Sequence, residues 1–330
     1  VAFMSNALLK GVGEHAWRWM LGVEAIPALL YTLFCFGIPE SPRWLIAKRG
    51  MREEAIGVLK LMNADASESE IVAIADEITA ASANEAAVTH GFFTPRLRLP
   101  IVLAFLIAFF NQLSGINAIL YFAPRIFGLT GLEERAALLQ SVGIGITNLV
   151  FTFIGLYLID RLGRRTLLYI GSFGYILSLG AVAATFLNYA PQFKVASDAI
   201  ALKAASERLI EAPQKTYSVE KLAKLTEEFE NASKALEESS AVESYDGTKV
   251  ELPADLTYEQ TGAIAGTALK QASEQSGPGG TIVLLSIFAF IAAHAVGQGA
   301  VIWVFISEIF PNQHRAEGQA FGSFTHWIFA

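Results

Sequence analysis

Five stretches of the chain are almost wholly apolar over roughly the 20 residues that an α-helix needs to cross a bilayer: Trp17 to Ile38, Leu99 to Phe122, Ala136 to Ile159, Thr166 to Leu187 and Thr281 to Phe310. Each predicts a membrane-spanning helix. Val1 to Leu9 and Ala320 to Ala330 read as pieces of two further spans. With no initiator methionine or signal peptide ahead of them, an internal fragment of a longer protein is expected. Two polar segments interrupt the series. Gly50 to Asn84 spaces Ala55, Val58, Leu59, Ile71, Ile74 and Ile78 as an amphipathic cover for a cytoplasmic surface. Asn188 to Pro278 carries Leu222, Leu225, Phe229 and Leu236 at helical spacing. Further on, Thr257-Tyr258-Glu259-Gln260 has the form of a capping box ahead of Ile264, Ala268 and Leu269. That segment is expected to be a small helical hairpin over an external mouth, with a partner-binding module as the alternative, and without a catalytic or metal site.

Composition supports an all-α polytopic membrane protein. Hydrophobic residues make up 53% of 330 positions, 23 of them Phe, and the mean hydropathy is +0.43. The single cysteine, Cys35, lies inside an apolar span, where it excludes a disulfide framework and is expected to pack in the core. The net charge of −7 comes mostly from the long polar insertion. Short loops rich in Lys and Arg stay cytoplasmic, which places Arg43, Lys48, Arg49 and Arg52 on that side together with Arg161, Arg164 and Arg165. Two spans separate these groups, so the parity closes. It then predicts that Asn188 to Pro278 lies outside and Arg315 inside.

The chemistry is concentrated where amides enter hydrocarbon. Asn111-Gln112-Leu113-Ser114-Gly115-Ile116-Asn117 follows the apolar run Ile101 to Phe110 directly. An unpaired amide in apolar surroundings costs about 2–7 kcal/mol, so this cluster is expected to face a wet cavity or neighbouring helices, as on a solute pathway. At about 100° per residue, Asn111, Gln112, Ser114 and Asn117 spread over more than half of a straight helix. A bend at Ser114-Gly115 is therefore predicted, and Gly297-Gln298-Gly299 is a second weak point in the last complete span. Gly115, Gly297 and Gly299 are the candidate hinges, and Gly171, Gly174 and Gly180 are expected to serve close helix packing. Tyr121 and Phe122 suit an external aromatic belt or gate. No phosphate loop, metal-ligand set or nucleophile with a partner base emerges, so an enzyme, an ATP-driven pump, a bound cofactor and nucleic-acid binding are not expected.

Three loop motifs sharpen this. Pro39-Glu40-Ser41-Pro42-Arg43-Trp44-Leu45 closes the first full span, Asp160-Arg161-Leu162-Gly163-Arg164-Arg165 closes the third, and Ser307-Glu308-Ile309-Phe310-Pro311 closes the fifth. With the amide cluster, in this order, they resemble the sugar porter family of the major facilitator superfamily, which includes bacterial xylose and hexose:proton symporters and facilitative glucose carriers. The resemblance implies the major facilitator fold in part, from about the fifth to the eleventh of twelve helices. Residues 1–48 would end the N-terminal six-helix half, 49–98 would form the cytoplasmic helical linker, and 99–189 would begin the C-terminal half. Residues 190–278 would be the extracytoplasmic helical insertion and 279–330 would continue the C-terminal half.

The resemblance also implies a site. Gln112 and Asn117 match sugar-binding amides of the seventh helix, Asn148 a sugar-contacting Asn of the eighth, and Trp303 the Trp of the tenth. Asn and Gln both donate and accept hydrogen bonds, as a hydroxyl-rich ligand requires, and an indole covers the apolar face of a pyranose. Asn111 replaces the first Gln of the family's pair, Gly297 to Val301 lacks its prolines, and His326 stands where an Asn precedes Trp327. His294 takes the place of a sugar-facing aromatic and is left as a hydrogen-bond partner, a titrating group or a packing residue. In the family, residues such as Glu40, Arg43, Asp160, Arg164, Arg165, Glu308 and Arg315 form ion pairs that latch the outward-facing state.

The expected function is alternating-access transport of a monosaccharide across the cell membrane by a monomeric carrier, with protons as the coupling ion. A polyol carrier, a uniporter or a sugar receptor on the same fold are the alternatives.

Overall fold

The computed structural model describes residues 2–9, 13, 15–86, 91–129, 134–214, 217–253 and 255–330, and among them it is helix and loop alone. Among the described residues, five helical stretches are long and apolar enough to span a membrane: Ala16–Cys35, Pro95–Ala123, Val142–Leu162, Arg164–Asn188 and Gly279–Ile309. They coincide with the five apolar runs of the sequence. Ahead of them α1 covers Ala2–Leu9, and after them α16 covers Arg315–Ile328.

Three of the five spans are broken. The first divides into α2 (Ala16–Gly22) and α3 (Ala25–Cys35). Pro27 lacks an N–H and its ring displaces the carbonyl four residues back, at Val23, where the helix loosens. The second divides into α7 (Arg98–Leu113) and α8 (Ile116–Leu129) around Ser114 and Gly115. Gly115 has φ +77°, a left-handed backbone that costs an L-residue about 1–2 kcal/mol and glycine little. The predicted bend is present at the predicted dipeptide. The fifth span consists of α14 (Gly279–Ala293), a π-helical turn at His294–Gly299 and α15 (Ala300–Ile309). Only α9 (Glu134–Leu162) and α10 (Arg164–Asn188) run unbroken.

The broken fifth span is the most buried of the five, and α8, α9 and α10 pack on it. One core joins Ile116, Ala123 and Phe127 of α8 to Ile144 of α9 and to Val283, Ile287, Phe290 and Ile291 of α14. A second joins Ile159 and Leu167, on either side of the α9–α10 turn, to Val296 and Val301. The approach is close because glycines line it. A Cβ on Gly297 would lie 2.7 Å from the Gly171 Cα and 2.8 Å from the Leu167 carbonyl oxygen, while one on Gly174 would meet the Ala293 Cβ. Gly180, expected to serve the same purpose, has open space around it.

One end of the bundle gathers the α9–α10 turn, the end of α15 and the aromatic stack of Phe92, Phe310 and Phe321 that seats the incoming chain at Leu97. The opposite end carries the insertion, rooted by Phe193 in the first core. The basic α9–α10 turn and the acidic insertion therefore lie at opposite ends of the bundle.

The insertion is not a hairpin. It is a three-helix unit of α11 (Ala190–Glu211), α12 (Val219–Ser240) and α13 (Tyr258–Gln275) with its own core. Leu236 is buried in it with Phe229 packed on it, Leu225 is buried elsewhere on α12, and Leu222 is 39% exposed. The Thr257–Gln260 capping box is formed. The helix α11 is hard to see in the sequence because Ala196, Ala199 and Ala205 stand among Val195 and Leu202 on its buried face and add little hydrophobic signal. Those small side chains let it approach Ala265, Ala268 and Ala272 of α13.

Between α3 and α7 lie a short turn α4 (Pro42–Trp44), a π-helical turn at Leu45–Arg49, and the helices α5 (Arg52–Met62) and α6 (Glu68–Ala86). Their apolar residues pack on one another: Leu45 and Ile46 meet Ala55, Val58, Leu59 and Ile71. Cys35 is exposed rather than packed in a core, because the whole of α2–α3 presents its apolar side chains outward. Tyr121 and Phe122 are likewise exposed on α8.

Candidate functional site

The break between α7 and α8 decides where the amides go. In a straight helix Asn117 would point about 140° away from Gln112, five residues earlier. The turn at Ser114–Gly115 brings them together, and the Asn117 Nδ2 donates to the Gln112 Oε1 at 3.2 Å. Ser114 steadies the break by donating its hydroxyl to the Asn111 carbonyl at 2.6 Å. Gln112 and Asn111 are both buried, and neither the Gln112 Nε2 nor the Asn111 Nδ2 has a hydrogen-bond partner. A buried orphan donor costs about 1–3 kcal/mol, so each of the two marks a point where a hydroxyl-bearing ligand would gain.

The two amides look in different directions. Asn111 lines a cavity of about 420 Å³ together with Ser172 and Tyr175 of α10, Gln298 of the π-turn and an apolar wall that includes Leu106, Phe110 and Phe305. Ser172 accepts from the Gln298 Nε2 at 3.1 Å, and the Tyr175 hydroxyl meets the His294 Nδ1 at 2.5 Å. Of the sequence's six candidate binding residues, only Asn111 lines this cavity. Gln112 and Asn117 pair with each other on another side of the break. His294 does not line the cavity and bonds to Tyr175, which does. Asn148 stands half-buried on α9, and Trp303 on α15 packs edge to face against His326 of α16, with ring centroids 5.0 Å apart.

Ser172, Tyr175 and Gln298 escaped sequence reasoning. Ser172 and Tyr175 are three residues apart on one face of α10, beside the glycines that admit the π-turn, and that spacing was the available signal. The π-turn itself coincides with the weak Gly297-Gln298-Gly299 stretch, and single π-turns inside α-helices recur at functional sites. Gly297 is fixed there by its approach to Gly171, while a Cβ on Gly299 would press on the His294 ring at 3.3 Å.

Of the charged motif residues, the structure brings three together. Arg164 forks onto Glu308 through Nε and Nη2 at 3.1 and 2.8 Å, and its Nη1 reaches Asp160 at 3.0 Å. Arg165 instead donates to the Tyr169 hydroxyl, and Arg161 lies over the Tyr157 ring. Glu40, Arg43 and Arg315 are not part of the Arg164 cluster. The formed pair therefore pins the α9–α10 turn to the end of α15.

Comparison with known proteins bears on this arrangement. The family model described as Sugar (and other) transporter matches residues 1–202 and 261–330. The D-xylose-proton symporter of Escherichia coli K12 is 26% identical over 322 residues, which cover 96% of this chain and 46% of the symporter. Probable inositol transporter 2 of Arabidopsis thaliana is 39% identical over 181 residues, 53% of this chain and 31% of that protein. Among solved structures, the partially occluded inward-open conformation of the xylose transporter XylE from E. coli aligns with a TM-score of 0.54 at 23% identity. It covers 99% of this chain and 51% of XylE. The chain spans about half the length of the xylose symporter and less of the inositol transporter. The likeness in structure is one of fold, and the fold is that of the major facilitator transporters.

Proposed function

The chain belongs to the sugar transporter family as an integral protein of the cell membrane, and from that premise we propose that it moves a monosaccharide by alternating access, coupled to protons. The observation that carries this is the pair of buried orphan amide donors, Asn111 Nδ2 and Gln112 Nε2, at a helix break. Neutral amides suit a neutral, hydroxyl-rich solute and avoid the cost of burying charge. Gln112, Asn117 and Asn111 are the proposed sugar contacts on α7–α8, with Asn148, Trp303 and His294 completing the site from α9, α15 and the π-turn. In this reading residues 1–48 belong to one rocking half, 99–189 and 279–330 to the other, and 49–98 to the cytoplasmic linker. Gly115, Gly297 and Gly299 lie where the helices change direction, and act as hinges.

A second reading, a polyol carrier, is favoured by the likeness to a protein described as an inositol transporter. The test is uptake into liposomes of D-xylose, D-glucose and myo-inositol, with and without an inwardly directed proton gradient. Pentose or hexose accumulation that rises with the gradient is expected. Accumulation of inositol alone supports the second reading, sugar uptake indifferent to the gradient points to a uniporter, and binding without uptake points to a receptor.

The Arg164 cluster supports a latch that holds the outward-facing state, with Glu40, Arg43, Arg165 and Arg315 joining it as the halves rock. Exposed ion pairs contribute about 0–1 kcal/mol each, so removing one redistributes states several-fold at most. Glu308→Gln keeps the side chain's shape and removes the charge the guanidinium grips. The expected result is a shift toward the inward-open state with sugar affinity unchanged. Labelling of engineered cysteines at either mouth reads the shift and calorimetry reads the affinity. Weaker binding without a shift would assign Glu308 to the site and not to the latch.

A further inference from the structure

The two unbroken spans carry the same surface in mirror image. Leu149, Phe153, Tyr157 and Arg161 recur every four residues on α9, and Arg165, Tyr169, Phe173 and Leu177 do so on α10, so that like residues stand at equal distances on either side of Gly163. Residues four apart share a helix face, and here that face is outward: the apolar and aromatic members of both rows are each more than half exposed. The inward faces mirror as well. Gly155 and Gly171 both meet the π-turn, and Ile159 and Leu167 share a core with it, which turns the two rows away from the bundle. Gly163, with φ +79°, is the single residue between the helices, so both arginines stand at one end. Each is held by its own tyrosine. The Arg161 guanidinium lies 4.0 Å from the Tyr157 ring centre, and Arg165 donates to the Tyr169 hydroxyl through Nε and Nη2 at 3.2 and 3.1 Å. Nearby carboxylates are already engaged, Asp160 and Glu308 by Arg164 and Glu317 by His314. Among the described residues neither Arg161 nor Arg165 forms an ion pair. We propose that the α9–α10 turn is a binding site for anionic phospholipid, with Arg161 and Arg165 gripping headgroup phosphate and the two rows below receiving acyl chains.

The chemistry selects that ligand. A guanidinium stacked on a ring uses its face and keeps its edge N–H donors, which fit two phosphate oxygens at once. The tyrosine also fixes the long side chain in place, so less rotamer freedom is lost on binding. Tyrosine suits headgroup depth, with its ring among acyl chains and its hydroxyl in the polar layer, and the Phe and Leu further along each row suit hydrocarbon. A free phosphate would find the arginines and leave these rows unused, and an acidic protein would not reach them. Arg96, Arg98 and Arg315 stand exposed at the same end and add to its positive field. The basic loops direct this end to the cytoplasmic leaflet, where anionic lipids concentrate. Arg165 is engaged in this way in the arrangement described, and joining the latch would require it to leave Tyr169.

The site requires helices in a bilayer and is independent of what the protein transports. The full chain is placed in nanodiscs of equal phosphatidylglycerol and phosphatidylcholine and extracted in neutral detergent, and the lipid it retains is identified by mass spectrometry. Phosphatidylglycerol is expected in excess over its share of the nanodisc. An arginine at a charged membrane surface is worth about a fivefold preference, so Arg161→Gln and Arg165→Gln should each lower the excess by about that factor and the double variant by more. Arg52→Gln, which loses an exposed pair with Asp76 in the linker, should leave it unchanged. Tyr169→Phe keeps the ring and removes the hydroxyl that holds Arg165. A fall of about threefold is expected there, which keeps the test decisive if the arginine variants fold poorly. Excess glycerol phosphate, the headgroup without its chains, should not release the lipid. Equal retention of the two lipids, an equal effect of Arg52→Gln, or release of the lipid by glycerol phosphate would overturn the proposal.

Discussion

Leucine at position 297 will deprive the protein of its central helix packing. A Cβ there falls 2.7 Å from the Gly171 Cα and 2.8 Å from the Leu167 carbonyl oxygen, and both obstacles are backbone atoms that no rotamer change can move. Relief requires α10 to withdraw from the π-turn along its whole contact, through the core of Leu167, Val296 and Val301. Overpacking costs about 1–3 kcal/mol where side chains can yield and more where backbones must part. The expected outcome is at least a tenfold fall in monodisperse protein recovered from membranes, measured by fluorescence-detected size exclusion. Gly180→Leu is the control, because a Cβ at Gly180 meets open space. Equal recovery of the two variants would show that the Gly171–Gly297 approach does not hold the bundle together.

Gln112→Ala should remove most of the affinity for sugar while leaving the fold intact. Gln112 is the one residue that both accepts from Asn117 and keeps a buried amide donor without a partner. Truncation forfeits the bond to the ligand and leaves a sugar hydroxyl unsatisfied in the site. One unsatisfied group costs about 1–3 kcal/mol, which predicts a Kd raised by about 5- to 150-fold. The change at Asn111, which lines the separate cavity beside Ser172 and Tyr175, should be smaller. Calorimetry on the purified variants checks both. A larger loss at Asn111 than at Gln112 would place the sugar in the cavity between α7 and α10.

The contrast between these residues shows what was legible in the sequence. The five spans were plain, because 20 apolar residues in succession have few other meanings. The bend at Ser114–Gly115 was legible since a straight helix could not have given its amides a common direction, and glycine supplied the left-handed backbone. That Asn111 and Gln112 would divide between two sides was not legible, for it depends on how α10 and the π-turn approach α7. The break at Val23–Glu24 carried the signal of Pro27, yet the apolar composition of the span hid it. Gly171 and Gly180 look alike in the sequence, and only the path of α14 tells the contact from the open surface. The Arg164–Glu308 fork joins residues 144 apart, which local pattern does not connect.

The ends of the insertion touch. A Cβ on Gly279 would lie 2.8 Å from the Tyr189 ring and 3.1 Å from that of Phe193, so the chain leaves the bundle and returns to it at one point. The family pattern is interrupted at 203–260, within the three-helix unit and clear of this junction. Apposed ends add no loop-closure cost to the host beyond that of the hairpin they replace. The α10–α14 connection is therefore a natural port of entry, where a reporter domain or an antibody epitope could stand in for the three helices without straining the bundle below.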